Sequence, residues 1–215
     1  MTINSARRHL IMGLAGLLVT GAAGAVRRLA PTPQQTAGPF YPETPPLDDD
    51  SDLTRVRGRD GVAQGRITDL SGRILDSDAR PLGRVRVEIW QCDATGRYHH
   101  PRDRGTTIDR DFQGFGHTVT DGEGNYRFRT IRPVPYPGRT PHIHMAVFAE
   151  GAPPFVTQLY INGEPRNADD FIFNHIPDER RQLVVADFVT AQGSDAELKA
   201  SFDIVLAGAG GTPQV

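Results

Sequence analysis

An all-β fold, an antiparallel β-sandwich with long loops and an extended N-terminal arm, is what this 215-residue sequence predicts. Three observations carry the prediction. Beyond Val62 the chain breaks into short stretches in which apolar and polar residues alternate with period two, as half-buried strands require. Between them lie turns rich in glycine and proline, the residues that fix or free a backbone angle. No long amphipathic helix competes, apart from a short turn expected near Asp195–Ala200. The length suits one sizeable core rather than two.

Taken in order, residues 1–25 have the layout of a secretory signal. Arg7 and Arg8 precede an apolar run from Leu10 to Thr20, and Ala23-Gly24-Ala25 offers a small-residue cleavage site. The paired arginines resemble a twin-arginine export signal, which implies an exported protein, periplasmic or extracellular. The apolar run is shorter than the ~20 residues a spanning helix needs, so no stable membrane span is expected once the signal is removed. Residues 26–61 form the expected arm: six prolines between Pro31 and Pro46 forbid helix, and Gly38-Pro39, Phe40 and Tyr41 give the arm shape. The acidic run Asp48–Asp52 is expected to be a solvated turn.

Residues 62–215 form the expected sandwich domain. Gln64–Leu75 is a strand with a break at Ser71-Gly72. In Arg84–Trp90, Val85, Val87 and Ile89 share one face while Arg84, Arg86 and Glu88 share the other. Thr118–Ile131 carries DGEGN between two apolar stretches, a hairpin signal. Further strands are expected at His142–Phe148, Val156–Ile161, Leu183–Val189 and Phe202–Leu206. Two long excursions interrupt them, Gln91–Gly116 and Asn162–Arg181, and loops of such length commonly carry function.

Lysine and arginine total 24 against 26 acids, and no basic stretch alternates with aromatics. That balance argues against nucleic acid and fits a small-molecule partner; it leaves homo-oligomerisation open. With Cys92 the single cysteine, no intramolecular disulfide can form, and this residue reads as a small buried hydrophobe.

The stretch Pro133–His144, PVPYPGRTPHIH, concentrates the chemistry. On a strand, His142 and His144 project from one face with α-carbons roughly 6.5–7 Å apart, so both imidazoles can reach one metal ion. Tyr136 sits between prolines that restrict its backbone. A phenol binds metal only as phenolate, and a trivalent cation stabilises that anion directly. Two imidazoles with phenolate oxygen therefore favour iron(III) over zinc. A second tyrosine would balance the ion's charge. Tyr98, in the long loop after RVRVEIWQ, is the best fit; Tyr126 and Tyr160 fall on core-facing strand patterns, and Tyr41 is an outside alternative. His99 and His100 read as solvated loop histidines.

These residues carry a family resemblance. TAGPFYP, VEIWQCDATGRY, TDGEGNYRFRTIRPVPYPGRTPHIH and QLY, in that order, resemble the intradiol ring-cleavage dioxygenases of the protocatechuate 3,4-dioxygenase type. The resemblance covers most of the chain beyond the signal. It implies a β-sandwich holding non-haem ferric iron, Fe(3+), through Tyr98, Tyr136, His142 and His144. It also implies Arg139 as the catalytic arginine, Gln158 as a glutamine near the substrate, and Gly38 and Pro39 as substrate-lining residues. The implied reaction cleaves a catechol between its two hydroxyl-bearing carbons with O2, giving a cis,cis-muconate, while Tyr136 leaves the metal and helps take up a substrate proton. The sequence departs from the pattern in having only five residues between Tyr136 and His142, where the well-known enzymes carry a longer insertion that walls the pocket. It also lacks the N-terminal helical segment through which catechol dioxygenases dimerise.

Two other readings make different predictions. A non-catalytic, transthyretin-like binding module would scatter the two tyrosines and two histidines. A zinc or copper protein would use the His-x-His pair alone.

Overall fold

The computed structural model describes residues 28–208 except 45, 47 and 106; the signal read in residues 1–25 lies outside them. Two five-stranded sheets face each other. One contains β1 (Ile67–Asp76), β4 (Asn125–Ile131), β8 (Val189–Thr190), β9 (Leu198–Ser201) and β10 (Ile204–Leu206). The other runs in the order β3 (Phe115–Val119), β2 (Arg86–Trp90), β5 (His142–Phe148), β6 (Phe155–Ile161) and β7 (Val185–Ala186). The all-β sandwich is therefore as expected, but the sheets are mixed: β1 pairs parallel with β9 and β10, and β6 with β7.

Alternation explains which side chains go inward. Val87, Ile89, Ile143, Met145, Val147 and Leu159 of one sheet meet Leu70, Ile74, Phe128 and Ile204 of the other in a single dry core. The opposite face of β2, β5 and β6 presents Glu88, Trp90, His142, His144, Gln158 and Tyr160, all buried as well. This second burial is the work of the arm and loops, which cover the outer face and turn it into a polar interior. Glu88, on the polar face of its strand as expected, is nonetheless 4% exposed and accepts hydrogen bonds from Tyr41 and Arg86.

Several sequence expectations are corrected. DGEGN is no hairpin turn, because β3 and β4 belong to different sheets and the segment carries the chain between them. Its Asp121 carboxylate accepts from the backbone of Glu123 and Asn125, a turn that serves a crossover as well as a hairpin. β1 runs unbroken through Ser71-Gly72; the break lies on its partner, between β9 and β10. Both pair with β1 at one constant offset (Ser71 with Ser201, Ile74 with Ile204), and at the gap Asp203 Oδ1 accepts from the Arg73 backbone. A side chain at Gly72 would collide with the Phe202 carbonyl, which explains the glycine there.

The turn expected at Asp195–Ala200 is replaced from Leu198 onward by β9. Leu183–Val189 divides into β7 and β8, one in each sheet. Asp48–Asp52 is a pairing strap: the Asp49 carbonyl accepts from His117 N, the Ser51 carbonyl accepts from Arg129 N, and Leu53 N just beyond it donates to the Arg129 carbonyl. Cys92 is 1% exposed, as its reading as a small buried hydrophobe requires, and Trp90 is equally buried. The excursion 162–183 holds two 3₁₀ turns (Pro165–Asp169, Asp178–Leu183) around a helical turn, α1 (Phe171–Asn174).

Candidate active site

β5 places His142 and His144 on the outer face, and the register sets their neighbours. Trp90 of β2 and Gln158 of β6 flank His144, and Tyr160 flanks His142. Pro137 and Gly138 then bring Tyr136 into reach. The Arg139 amide donates to the Tyr136 carbonyl at 2.9 Å with Gly138 at φ +80°, the type II turn that Pro-Gly favours. The fourth ring comes from the loop after β2: Tyr98, 4% exposed, is fixed by its backbone amide donating to Asp103 at 2.8 Å.

The four rings converge. Ring centroids lie 5.4 Å apart for Tyr98 and Tyr136, 5.5 Å for Tyr136 and His142, 4.7 Å for the two histidines and 6.2 Å for Tyr98 and His144. The two Nε2 atoms are 3.1 Å apart. His142 Nδ1 stands 2.7 Å from the Thr140 carbonyl, an acceptor only, so Nδ1 carries the proton and the Nε2 lone pair points into the cluster. The Tyr98 hydroxyl is buried with no hydrogen-bond partner among the described residues, and His144 Nδ1 likewise. An orphaned phenol oxygen beside two inward-facing imidazole nitrogens is the donor set that a cation would satisfy. By residue type and position, Tyr98, Tyr136, His142 and His144 fit a ferric ion.

The arm supplies the walls. Phe40 stacks on Tyr98 at 4.5 Å, and Tyr41 meets Trp90 edge-on while Trp90 lies parallel to His144 at 4.9 Å. Gly38, at φ +70°, approaches His144 so closely that a Cβ there would sit 3.3 Å from Cε1. Pro39 is exposed beside it. Tyr41 itself points to Glu88 and contributes no hydroxyl to the cluster. His99 is exposed as expected, but His100 is buried against Phe40.

Arg139 spans the rim, with its side chain 8% exposed and that of its partner Asp170 fully buried. Nε donates to Asp170 at 2.8 Å, Nη2 to Gln158 Oε1 at 2.6 Å, and Nη1 lies 3.4 Å from the Tyr136 hydroxyl. Asp170 also accepts from Thr140 N and caps α1 through Ile172 and Phe173. Sequence reasoning missed Asp170, although an Asp before FIFN is an N-cap signal. An open cleft of about 580 Å³, lined by Tyr136, Gly138, Arg139, Thr140, Arg166 and Asp170 among others, lies against this rim.

Burial sets the protonation states. It pushes the Tyr98 phenol well above the ordinary range, with Tyr136 adding to the effect, and raises Tyr136 despite the opposing Arg139 cation. Burial and then Arg139 lower His142 to about 3; burial, His142 and Arg139 hold His144 well below the usual histidine range. Phenols and imidazoles are thus neutral at pH 7 until a cation displaces the phenol protons. Because both histidines are depressed in the folded state, their stabilisation is complete above the ordinary histidine pKa and is lost as pH falls toward 3. The loss runs at ~1.4 kcal/mol per pH unit for each. The urea midpoint of the metal-free protein should therefore drop between pH 7 and 5, and His142→Asn should shrink the drop; an unchanged midpoint across that range contradicts the assignment.

This sandwich, with its convergent phenols and imidazoles under a clamped arginine, defines a class. Residues 36–208 match the family described as Dioxygenase, and the chain belongs to the intradiol ring-cleavage dioxygenases. Among its relatives, the protocatechuate 3,4-dioxygenase beta chain of Burkholderia cepacia is 38% identical over 76% of this chain and 74% of its own. Catechol 1,2-dioxygenase 2 of Acinetobacter lwoffii is 31% identical over 66% of this chain and 55% of its own, so the match spans about half of that enzyme. Among solved structures, the dioxygenase domain of a carbohydrate-binding fusion from Streptomyces sp. SirexAA-E superposes with a TM-score of 0.63 at 31% identity, over 83% of this chain and 99% of that one.

Proposed function

We propose that this chain is a non-haem iron(III) dioxygenase that cleaves a catechol-type ring between its two hydroxyl-bearing carbons to a cis,cis-muconate-type diacid, with both atoms of O2 entering the product. The observation that supports it best is the convergence of Tyr98, Tyr136, His142 and His144 beside Arg139. A scattered arrangement, as a binding module requires, is not what the fold produces, and a His-x-His metal site has no use for the orphaned Tyr98 hydroxyl.

Tyr98, Tyr136, His142 and His144 would hold the iron. Bound there, ferric iron keeps the ligand phenols and the catechol oxygens ionised and makes the ring susceptible to O2. The chain's own groups do the rest. Tyr136, half-buried at the cleft, is the phenol placed to take up a substrate hydroxyl proton. Arg139, its Nη1 toward that phenol and its other edge held by Asp170 and Gln158, stabilises negative charge as it builds on the ring; a fixed cation in a water-poor site does so without reorganising. Gly38 leaves room above His144, and Thr140 holds the His142 proton outward.

The open cleft and the short Tyr136–His142 segment favour a site that admits catechols larger than the parent compound. Oxygen uptake by the iron-loaded protein on protocatechuate, catechol, hydroxyquinol and bulkier catechols tests the proposal. Uptake of one O2 per ring, with a ring-opened diacid as product, is expected from at least one of them; no uptake from any contradicts it. The Arg7-Arg8 signal supports an exported enzyme, which fractionation of cells expressing the chain with and without residues 1–25 tests: retention of the full chain in the cytoplasm overturns it.

A further inference from the structure

Behind Arg139 a chain of polar groups runs from buried β6 residues into the partly exposed arm, and acceptor-only atoms fix its direction. Gln158 Nε2 donates to the Thr36 carbonyl at 3.0 Å, so Oε1 must face the other way. There it accepts from Arg139 Nη2 at 2.6 Å and lies 3.1 Å from the Tyr160 hydroxyl. The Gln35 carboxamide is fixed by the same logic. Its Nε2 faces Thr157 Oγ1 at 3.1 Å and the Gln158 carbonyl at 3.2 Å. The Thr157 hydroxyl spends its own proton on the Pro33 carbonyl, so both of these atoms only accept from Gln35. Gln35 Oε1 is thereby turned to Tyr160, whose hydroxyl donates to it at 2.7 Å. Tyr160 has a single proton, and the shorter bond takes it. Gln158 Oε1 is left to the guanidinium. The Gln35 amide also donates to the Val156 carbonyl at 2.8 Å, which pins the arm to β6 and sets the neighbouring Thr36 carbonyl.

We propose that Gln35 is a positioning residue for Arg139: by accepting the Tyr160 hydroxyl's hydrogen bond and holding the Thr36 carbonyl against β6, it keeps the Gln158 carboxamide oxygen committed to the guanidinium. The N-terminal arm is then part of the catalytic apparatus as well as a cover over it. The inference rests on the catalytic role given to Arg139 above. Without Gln35, the Tyr160 hydroxyl turns fully to Gln158 Oε1, its one remaining acceptor among the described residues; that oxygen has two lone pairs, so the phenol joins Arg139 there and competes for its negative charge, loosening its hold on the guanidinium.

That competition makes an unusual rescue testable. Gln35→Leu, Tyr160→Phe and the double variant are compared with the unmodified protein in two ways: kcat and KM of the iron-loaded enzyme on its best catechol, and rotation of the Arg139 guanidinium followed by nitrogen-15 NMR in the metal-free protein. Gln35→Leu should lose about tenfold in kcat with KM within about twofold, and its guanidinium should rotate faster. Adding Tyr160→Phe removes the competing hydroxyl and should restore most of both. A double variant no better than Gln35→Leu, or a Gln35→Leu protein with unmodified kcat and rotation, overturns the proposal. Should Gln35→Leu not fold, Gln35→Asn, which withdraws the carboxamide by one methylene, gives the same comparison. Because rotation is read without metal or substrate, failure of the iron reading shows as an inactive unmodified protein and leaves the Gln35 result standing on its own.

Discussion

Arg139→Ala is expected to keep iron and colour while losing roughly 10²–10³-fold in kcat, the usual cost of removing one preorganised group that stabilises developing charge. The guanidinium lies 3.4 Å from the Tyr136 hydroxyl through Nη1 only, so the donor set survives its removal. What is lost is a cation that Asp170 and Gln158 hold still. The single substitution also takes the cation from the fully buried Asp170 carboxylate, which keeps its three backbone donors, so the cost falls below the ~3–5 kcal/mol of a buried charge left with no partner. Arg139→Ala with Asp170→Asn removes the unpaired charge but turns an amide NH2 toward a backbone donor, so it should recover part of the stability and none of the turnover. Steady-state kinetics beside urea unfolding separates the two effects, and unchanged kcat in a folded, iron-loaded Arg139→Ala protein would refute the assigned role.

His144→Ala is expected to lower iron affinity by at least ~100-fold, since groups that merely orient ligands are worth 10–100-fold. His144 lies at the centre of the site's supporting contacts. Trp90 stacks on one face at 4.9 Å, Gly38 abuts its Cε1, and its Nε2 stands 3.1 Å from that of His142. The cavity left by alanine has no other nitrogen to offer. Metal analysis after dialysis against a weak chelator measures the effect; full iron content would remove His144 from the site.

How much of this was legible in the sequence depends on the range of each interaction. Period two put His142 and His144 on one face of β5, and the structure places them so, with Ile143 and Met145 in the opposite, dry core. Tyr98, Tyr136 and Arg139 were recognisable from residue type within a family pattern; the two tyrosines meet the histidines, and Arg139 reaches Tyr136 beside them. The DGEGN misreading has a local cause: Asp121 builds the same turn whether the next strand pairs with the last or crosses to the other sheet. The burial of Glu88 was not legible, because alternation identifies two faces but not whether a distant segment covers one of them. Gln35, Asp170 and Tyr160 escaped for the same reason. Their partners lie 125 residues away for Gln35 and Tyr160, and 31 for Arg139 and Asp170, and no spacing rule connects them.

The visible spectrum of the iron-loaded protein, beside that of Tyr98→Phe, tests the central claim most directly. Phenolate bound to ferric iron absorbs visible light by charge transfer, so the protein should be reddish when loaded and colourless when stripped, and Tyr98→Phe should lose the Tyr98 contribution to the band. A fully iron-loaded protein without that absorption, or one whose spectrum Tyr98→Phe leaves unchanged, contradicts the assignment of Tyr98 to the metal and with it the four-residue iron site.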